Sequence, residues 1–125
     1  MTIHHRPVFL DLRLIRLPLP GVLSILHRIS GLLLVVALPL LIGLLTQALA
    51  SPAGFAATAA VFDHALVKLW LLLVLWSFFH HLLAGGRHLL LDLGLFVERS
   101  AARRSAWIVF AISGGLTLIS WGFVQ

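Results

Sequence analysis

Residues 29–45 read ISGLLLVVALPLLIGLL, and none of these side chains is charged. The run lies inside a longer apolar stretch at about residues 21–48. A helix needs roughly 20 residues to cross the hydrocarbon core of a bilayer. Strands of a membrane barrel would alternate apolar and polar side chains, which this run does not do. The stretch therefore predicts a transmembrane helix.

Two further apolar stretches follow, at about residues 65–91 and 106–124. Lys68 and Arg87 lie near the two ends of the second stretch, and the third carries no charge. Each stretch is long enough to span a bilayer as a helix. We expect an all-α membrane protein in which three transmembrane helices with short connections form a single anchor domain over residues 1–125.

The composition agrees with a membrane protein and excludes several other classes. Hydrophobic residues make up 61% of the chain and charged residues only 10%, whereas soluble domains average about 45–50% and about 25%. The formal charge of +5 does not indicate nucleic-acid binding, because no aqueous face is left to carry a basic patch. Cysteine is absent, which excludes disulfides, iron–sulfur ligation and thiolate metal sites in this chain.

The basic residues predict the orientation of the chain. They precede or begin the first span and surround the connection between the second and third spans: Arg6, Arg13, Arg16, Arg28, Arg87, Arg99, Arg103 and Arg104. The connection around Ser51 has none before Lys68. Since basic loops stay in the cytoplasm, we expect a cytoplasmic N-terminus and a C-terminus outside.

Polar and ionisable side chains cluster at the cytoplasmic ends of the first two spans. The first span carries Ser24, His27, Arg28 and Ser30, and the second carries His80, His81, Arg87, His88 and Asp92. An ionisable group in lipid is costly unless it is paired or solvated, so these residues are candidates for function. Antiparallel packing of the two helices would bring both groups to a similar depth.

Helical spacing divides the second group into two faces. His81, Gly85, His88 and Asp92 share one face, and His80 points about 100° away from it. A neutral imidazole is the usual axial ligand of b-type haem, and a glycine lets a flat cofactor approach the helix backbone. We therefore expect haem iron on His81 and the haem plane over Gly85. The side chains available for the propionates are His27, Arg28, Arg87 and His88.

Four motifs support a resemblance to a known family. Arg6-Pro7 is followed by Leu10-Asp11-Leu12, residues 24–31 read SILHRISG, and Ser51-Pro52 is followed by Gly54-Phe55. The second helix carries the pattern His-x3-Gly-x-Arg-His-x3-Asp at residues 81–92, followed by Gly94. Over nearly its whole length, the sequence resembles the cytochrome b556 subunits of succinate dehydrogenase.

The resemblance implies a function beyond what spacing indicates. Such subunits pair with a second three-helix anchor and share one haem b with it. The residue at the His81 position is one axial ligand, and the partner anchor provides the other. The Ser24 and Arg28 positions help to form the ubiquinone site beside the iron–sulfur subunit, and the His27 and His88 positions lie near the propionates. His80 is an addition to the motif and leaves the ligand open between His80 and His81, although the spacing to Gly85 favours His81.

The implied role is electron transfer in respiratory complex II of a bacterial inner membrane. A flavoprotein subunit would oxidise succinate in the tricarboxylic acid cycle, and electrons would reach quinone through iron–sulfur clusters. This chain would not be catalytic alone.

Three alternative functions stay open at this point. The first two are the anchor of a fumarate reductase and an anchor without haem, and the latter should lack the stripe from His81 to His88. The third is a small proton-coupled transporter, although the acidic residues lie near the ends of the spans rather than within them.

Overall fold

A computed structural model of the chain describes residues 17–124, and this part is all-helical. Its four helices are α1 (Leu19–Ala50), α2 (Pro52–Phe62), α3 (Ala65–Asp92) and α4 (Arg99–Val124). By length and composition, α1, α3 and α4 could cross a membrane, which confirms the predicted number of spans. The motif at residues 6–12 and the basic residues Arg6, Arg13 and Arg16 lie outside the described residues.

The connection between the first two spans is itself a helix, which the sequence interpretation missed. Ser51 leaves α1 in an extended conformation, and its hydroxyl accepts a hydrogen bond of 3.0 Å from the backbone N–H of Gly54. Pro52 follows at the first helical position, where a missing N–H costs nothing. Ser-Pro is thus a helix start signal, and the alanine-rich residues after it favour the helix that forms.

Helix α2 folds back against the C-terminal half of α1. A Cβ atom at Gly54 would collide with the backbone carbonyl of Gln47 on α1, so the two helices approach each other closely at this glycine. Thr58, one turn further along α2, is buried. This contact fixes one end of the molecule.

At the other end, α3 packs against both α1 and α4. The three helices share a small core, formed by Leu23 of α1, Ala84 of α3, and Ala106 and Val109 of α4. Helix α3 stops just beyond this core because Gly94 takes a left-handed conformation, with φ +77°. The N–H groups of Gly94 and Leu95 then bond to the carbonyls of Leu91 and Leu90, at 2.9 and 3.0 Å, which is the pattern of a glycine-terminated helix. The turn brings α4 back alongside α3.

Large apolar side chains cover the outside of the helices. On α1, Leu32, Val35 and Leu49 are 65%, 71% and 78% exposed. A water-soluble monomer rarely leaves such a surface uncovered. The surface fits helices that lie against lipid or against other membrane subunits.

Candidate functional site

Three histidines from α1 and α3 gather where the two helices cross. The rings of His27 and His81 stack with their centroids 4.1 Å apart and their planes 10° from parallel. His88 meets the His27 ring edge-on at 5.1 Å. We call these three residues the histidine cluster. It joins the two polar groups that the sequence places on separate helices.

Two glycines make room for the stacked rings. A Cβ atom at Gly31 on α1 would lie 2.8 Å from Cε1 of His81, and one at Gly85 on α3 would lie 3.3 Å from Nε2 of His27. Each helix therefore carries the pattern His-x3-Gly, and each histidine fits against the glycine of the other helix. The flat group next to Gly85 in this structure is the His27 imidazole.

The hydrogen bonds of His81 fix the position of its proton. Its Nδ1 atom lies 3.0 Å from the carbonyl oxygen of His27 and 3.3 Å from the hydroxyl of Ser30. A carbonyl oxygen can only accept, so Nδ1 donates and carries the hydrogen. In the neutral ring, Nε2 then keeps a free lone pair, which is the form of histidine that binds a metal.

No multidentate site for a bare metal ion is present in residues 17–124. No group of three or more His, Cys, Asp or Glu side chains there is arranged to hold one. The stacked rings of His27 and His81 lie face to face, so their nitrogens cannot approach one metal from opposite sides. A metal bound at His81 would need its other ligands from elsewhere.

His80 lies in a different environment from its neighbour His81. Its ring is fully buried, stacks on Trp76 at 4.8 Å and lies 5.3 Å from Phe110 of α4. Neither ring nitrogen has a hydrogen-bond partner among the described residues. His80 is therefore closed off from outside groups in the described structure, whereas His81 faces α1 where the two helices cross.

Arg87, which the sequence interpretation placed at the haem edge, makes its described hydrogen bonds to α4 and not to the histidine cluster. It is only 4% exposed, and its Nε and Nη2 atoms donate to the hydroxyl of Ser105 and the carbonyl of Ala102, at 2.9 and 3.0 Å. The reason is geometric, because residue 87 is turned about 100° around α3 from His88. Arg87 joins α3 to the beginning of α4.

Ser24 and Arg28 lie one helical turn apart on α1, beside the cluster. The Nε atom of Arg28 donates a long hydrogen bond of 3.5 Å to the Ser24 carbonyl, and the Arg28 side chain is exposed. The guanidinium therefore has donors left for another group. Asp92, predicted on the same stripe as His81, is exposed where α3 ends.

Sequence reasoning missed two residues of this site. Ser30 was noted only as a polar residue, and Gly31 was given no role. A signal for Gly31 was present, because His27 and Gly31 repeat the spacing of His81 and Gly85. The repeat alone does not predict that each glycine contacts the histidine of the other helix, because this contact depends on how the two helices cross.

Comparisons with known proteins agree on one family. The family model described as succinate dehydrogenase/fumarate reductase transmembrane subunit matches residues 2–119. The chain is 40% identical to a protein of Coxiella burnetii over 109 residues, which is 86% of this chain and 87% of that protein. It is 35% identical to a protein of Paracoccus denitrificans over 121 residues, or 93% and 89% of the two chains. Both relatives are named succinate dehydrogenase cytochrome b556 subunit.

Proposed function

Because the chain belongs to the family of succinate dehydrogenase/fumarate reductase transmembrane subunits, we propose that it is the haem b-binding anchor of a succinate dehydrogenase. The family includes fumarate reductases, and the names of the relatives favour the succinate-oxidising branch. The whole chain then acts as one anchor domain. The family match favours an anchor subunit over the proton-coupled transporter.

One observation carries the proposal: the Nδ1 atom of His81 is held by the His27 carbonyl, which leaves Nε2 as a ligand. A b-type haem would supply one-electron transfer, and because the porphyrin itself binds the iron, it would need few ligands from the protein. This requirement fits a site in which the His81 imidazole is held by α1 and in which the described residues form no multidentate metal site. A second ligand would come from a second anchor subunit.

The surroundings of His81 suit the rest of the group. His27 and His88 lie within ring contact of each other, and Arg28 is on the same end of α1. These side chains can donate to propionates. Gly85, which lies next to His27, would be near the edge of the haem. The described hydrogen bonds of Arg87 go to α4, and its place at the haem edge stays a prediction.

Ser24 and Arg28 are proposed to bind ubiquinone. A serine hydroxyl and a guanidinium four residues apart on one helix can donate to the same headgroup. The arginine would also stabilise negative charge that develops on a quinone oxygen during reduction. Electrons would arrive from a flavoprotein and an iron–sulfur subunit on the cytoplasmic side of a bacterial inner membrane.

Two adjacent substitutions test the haem site. In the complex purified through this subunit, His81→Phe should remove the haem or change its reduced-minus-oxidised visible spectrum. His80→Phe is the matched control: it makes the same change one residue earlier and should keep the spectrum, because a phenyl ring can pack between Trp76 and Phe110. A normal haem spectrum and content in His81→Phe would contradict the assignment.

A further inference from the structure

We propose that α1 positions the His81 imidazole through the hydroxyl of Ser30, and that Gly31 provides the space that the ring needs. This inference rests on the function proposed above, because it concerns how the haem ligand is held. Ser30 and Gly31 are positioning residues, which act on His81 and do not touch the iron.

The first step concerns the hydroxyl hydrogen of Ser30. Ser30 is fully buried, and its hydroxyl donates to the carbonyl of His27 at 2.8 Å. A serine hydroxyl has one hydrogen, so its oxygen is left as an acceptor. The contact of 3.3 Å with Nδ1 of His81 is therefore an N–H donating to the Ser30 oxygen.

The second step concerns the sharing of the imidazole hydrogen. The Nδ1 hydrogen of His81 faces two acceptors on α1, the His27 carbonyl at 3.0 Å and the Ser30 hydroxyl at 3.3 Å. The His81 Nδ1 atom, the His27 carbonyl oxygen and the Ser30 hydroxyl oxygen thus form a closed triangle in a partly buried position. The triangle holds the ring in one tautomer and limits its rotation about the bond to Cβ.

The third step concerns the space that Gly31 leaves. A methyl group there would lie 2.8 Å from Cε1 and 3.2 Å from Nδ1 of His81, well inside ordinary contact distance. The imidazole is part of a backbone-anchored cluster, so it would have to turn or move away. The lack of a side chain at Gly31 is thus a condition for the observed ring position.

The expected consequence is electronic as well as geometric. Acceptors at the second ring nitrogen of a metal-bound histidine make it a stronger electron donor to the metal. A stronger donor favours the oxidised iron, so loss of the Ser30 hydroxyl should shift the haem midpoint potential in the positive direction. A purely structural role in helix packing would not produce this shift.

The chain offers a close control for Ser30→Ala. Ser113 on α4 is also fully buried and donates to a carbonyl three residues earlier, at 3.2 Å from Phe110. It makes no described hydrogen bond to a histidine. Redox titration and electron paramagnetic resonance of the purified complex should show a positive shift and altered ligand-field signals in Ser30→Ala, and wild-type values in Ser113→Ala.

Two results would overturn the inference. One is a wild-type potential and spectrum in Ser30→Ala. The other is an equal shift in Ser30→Ala and Ser113→Ala, since the effect would then come from losing any buried hydroxyl. Loss of haem in Ser30→Ala alone, with normal assembly of Ser113→Ala, would support it.

A second pair keeps the inference testable if Ser30→Ala does not assemble. Gly31→Ala should change the ligand-field signals, whereas Gly43→Ala, on the same helix with nothing within 4 Å, should not. Unchanged signals in Gly31→Ala would contradict the proposed role. If His81→Phe keeps a normal haem, the site itself is wrong; if His81→Phe loses it while Ser30→Ala and Gly31→Ala are normal, only this inference fails.

Discussion

His80 and His81 illustrate how neighbouring residues of one helix can have unrelated surroundings. Consecutive residues of a helix differ in direction by about 100°. His80 therefore lies between Trp76 and Phe110, while His81 faces polar atoms of α1. Each ring stacks on a neighbouring ring, but only His81 has a described hydrogen-bond partner for a ring nitrogen. Only the ring with a hydrogen-bonded nitrogen has a defined tautomer.

At the scale of single residues, we expect Ser24 and Arg28 to affect quinone reduction unequally. A neutral hydrogen bond contributes about 0.5–1.5 kcal/mol and one to a charged group about 1.5–3 kcal/mol. Ser24→Ala should therefore lower the quinone reduction rate by roughly 2- to 10-fold, and Arg28→Leu by roughly 10- to 150-fold. Succinate oxidation with a soluble dye acceptor should stay near normal in both.

The control for this pair is Arg103→Leu, which removes a charge from an exposed residue on the same end of the molecule. It should leave both activities unchanged. If Ser24→Ala or Arg28→Leu lowered the dye activity as much as the quinone activity, impaired assembly would explain the loss and the quinone role would be contradicted.

Helical periodicity was enough to predict that His81 and His88 share a face, and that His80 and Arg87 lie on another. It could not predict the target of Arg87, because an arginine side chain is long enough to reach groups on either side of its helix. Its acceptors, the Ser105 hydroxyl and the Ala102 carbonyl, belong to α4 and are brought near only by the turn at Gly94. Likewise, no pattern within α3 indicates that His27 fills the space beside Gly85.

Among the elements, α2 was the one that the sequence interpretation missed. Ser51-Pro52 is a signal for the start of a helix. However, α2 has only 11 residues, so it is too short to cross a membrane and was not identified with the spans. Local capping and alanine-rich sequence account for its formation. Its position against α1 depends on Gly54, whose role becomes apparent only when the Gln47 carbonyl is placed.

At the scale of the helices, we predict that replacing Gly54 with alanine lowers stability, which is the opposite of the effect that helix propensity predicts. Alanine is favoured over glycine in a helix by about 1 kcal/mol, yet Gly54→Ala should lower the stability of the α1–α2 contact by about 1–3 kcal/mol, because its methyl group would meet the Gln47 carbonyl. The measurement is the thermal unfolding midpoint of the purified complex in detergent. Gly43→Ala is the control and should leave that midpoint equal or higher. A Gly54→Ala protein as stable as Gly43→Ala would contradict the close contact.

At the scale of the whole molecule, the two ends differ in charge. The described arginines Arg28, Arg87, Arg99, Arg103 and Arg104 lie at the end where α1 begins and α3 ends. The opposite end holds α2 and the 3.9 Å contact between Lys68 and Asp63. The described arginines, which are far apart in the sequence, therefore lie at the same end of the folded chain. This supports an orientation with the arginine end in the cytoplasm.

The absence of cysteine makes this orientation directly measurable. We expect Ala53→Cys, exposed in α2, to react with a membrane-impermeant thiol reagent added to spheroplasts. Ser100→Cys, exposed near the beginning of α4, should react only after the membrane is permeabilised. The unsubstituted chain is the blank, and the label is detected as a mass shift of this subunit. Labelling of Ser100→Cys but not Ala53→Cys in spheroplasts would reverse the orientation.

The two ring-on-glycine contacts between α1 and α3 also determine how far the helices are displaced along each other. Surfaces rich in leucine can slide in lipid at little cost, because one branched side chain replaces another and no hydrophobic force opposes the exchange. A slip of one turn, about 5.4 Å, would remove each imidazole from its glycine and separate Nδ1 of His81 from the His27 carbonyl. The reciprocal fit therefore selects one axial register from several that the apolar faces alone would tolerate.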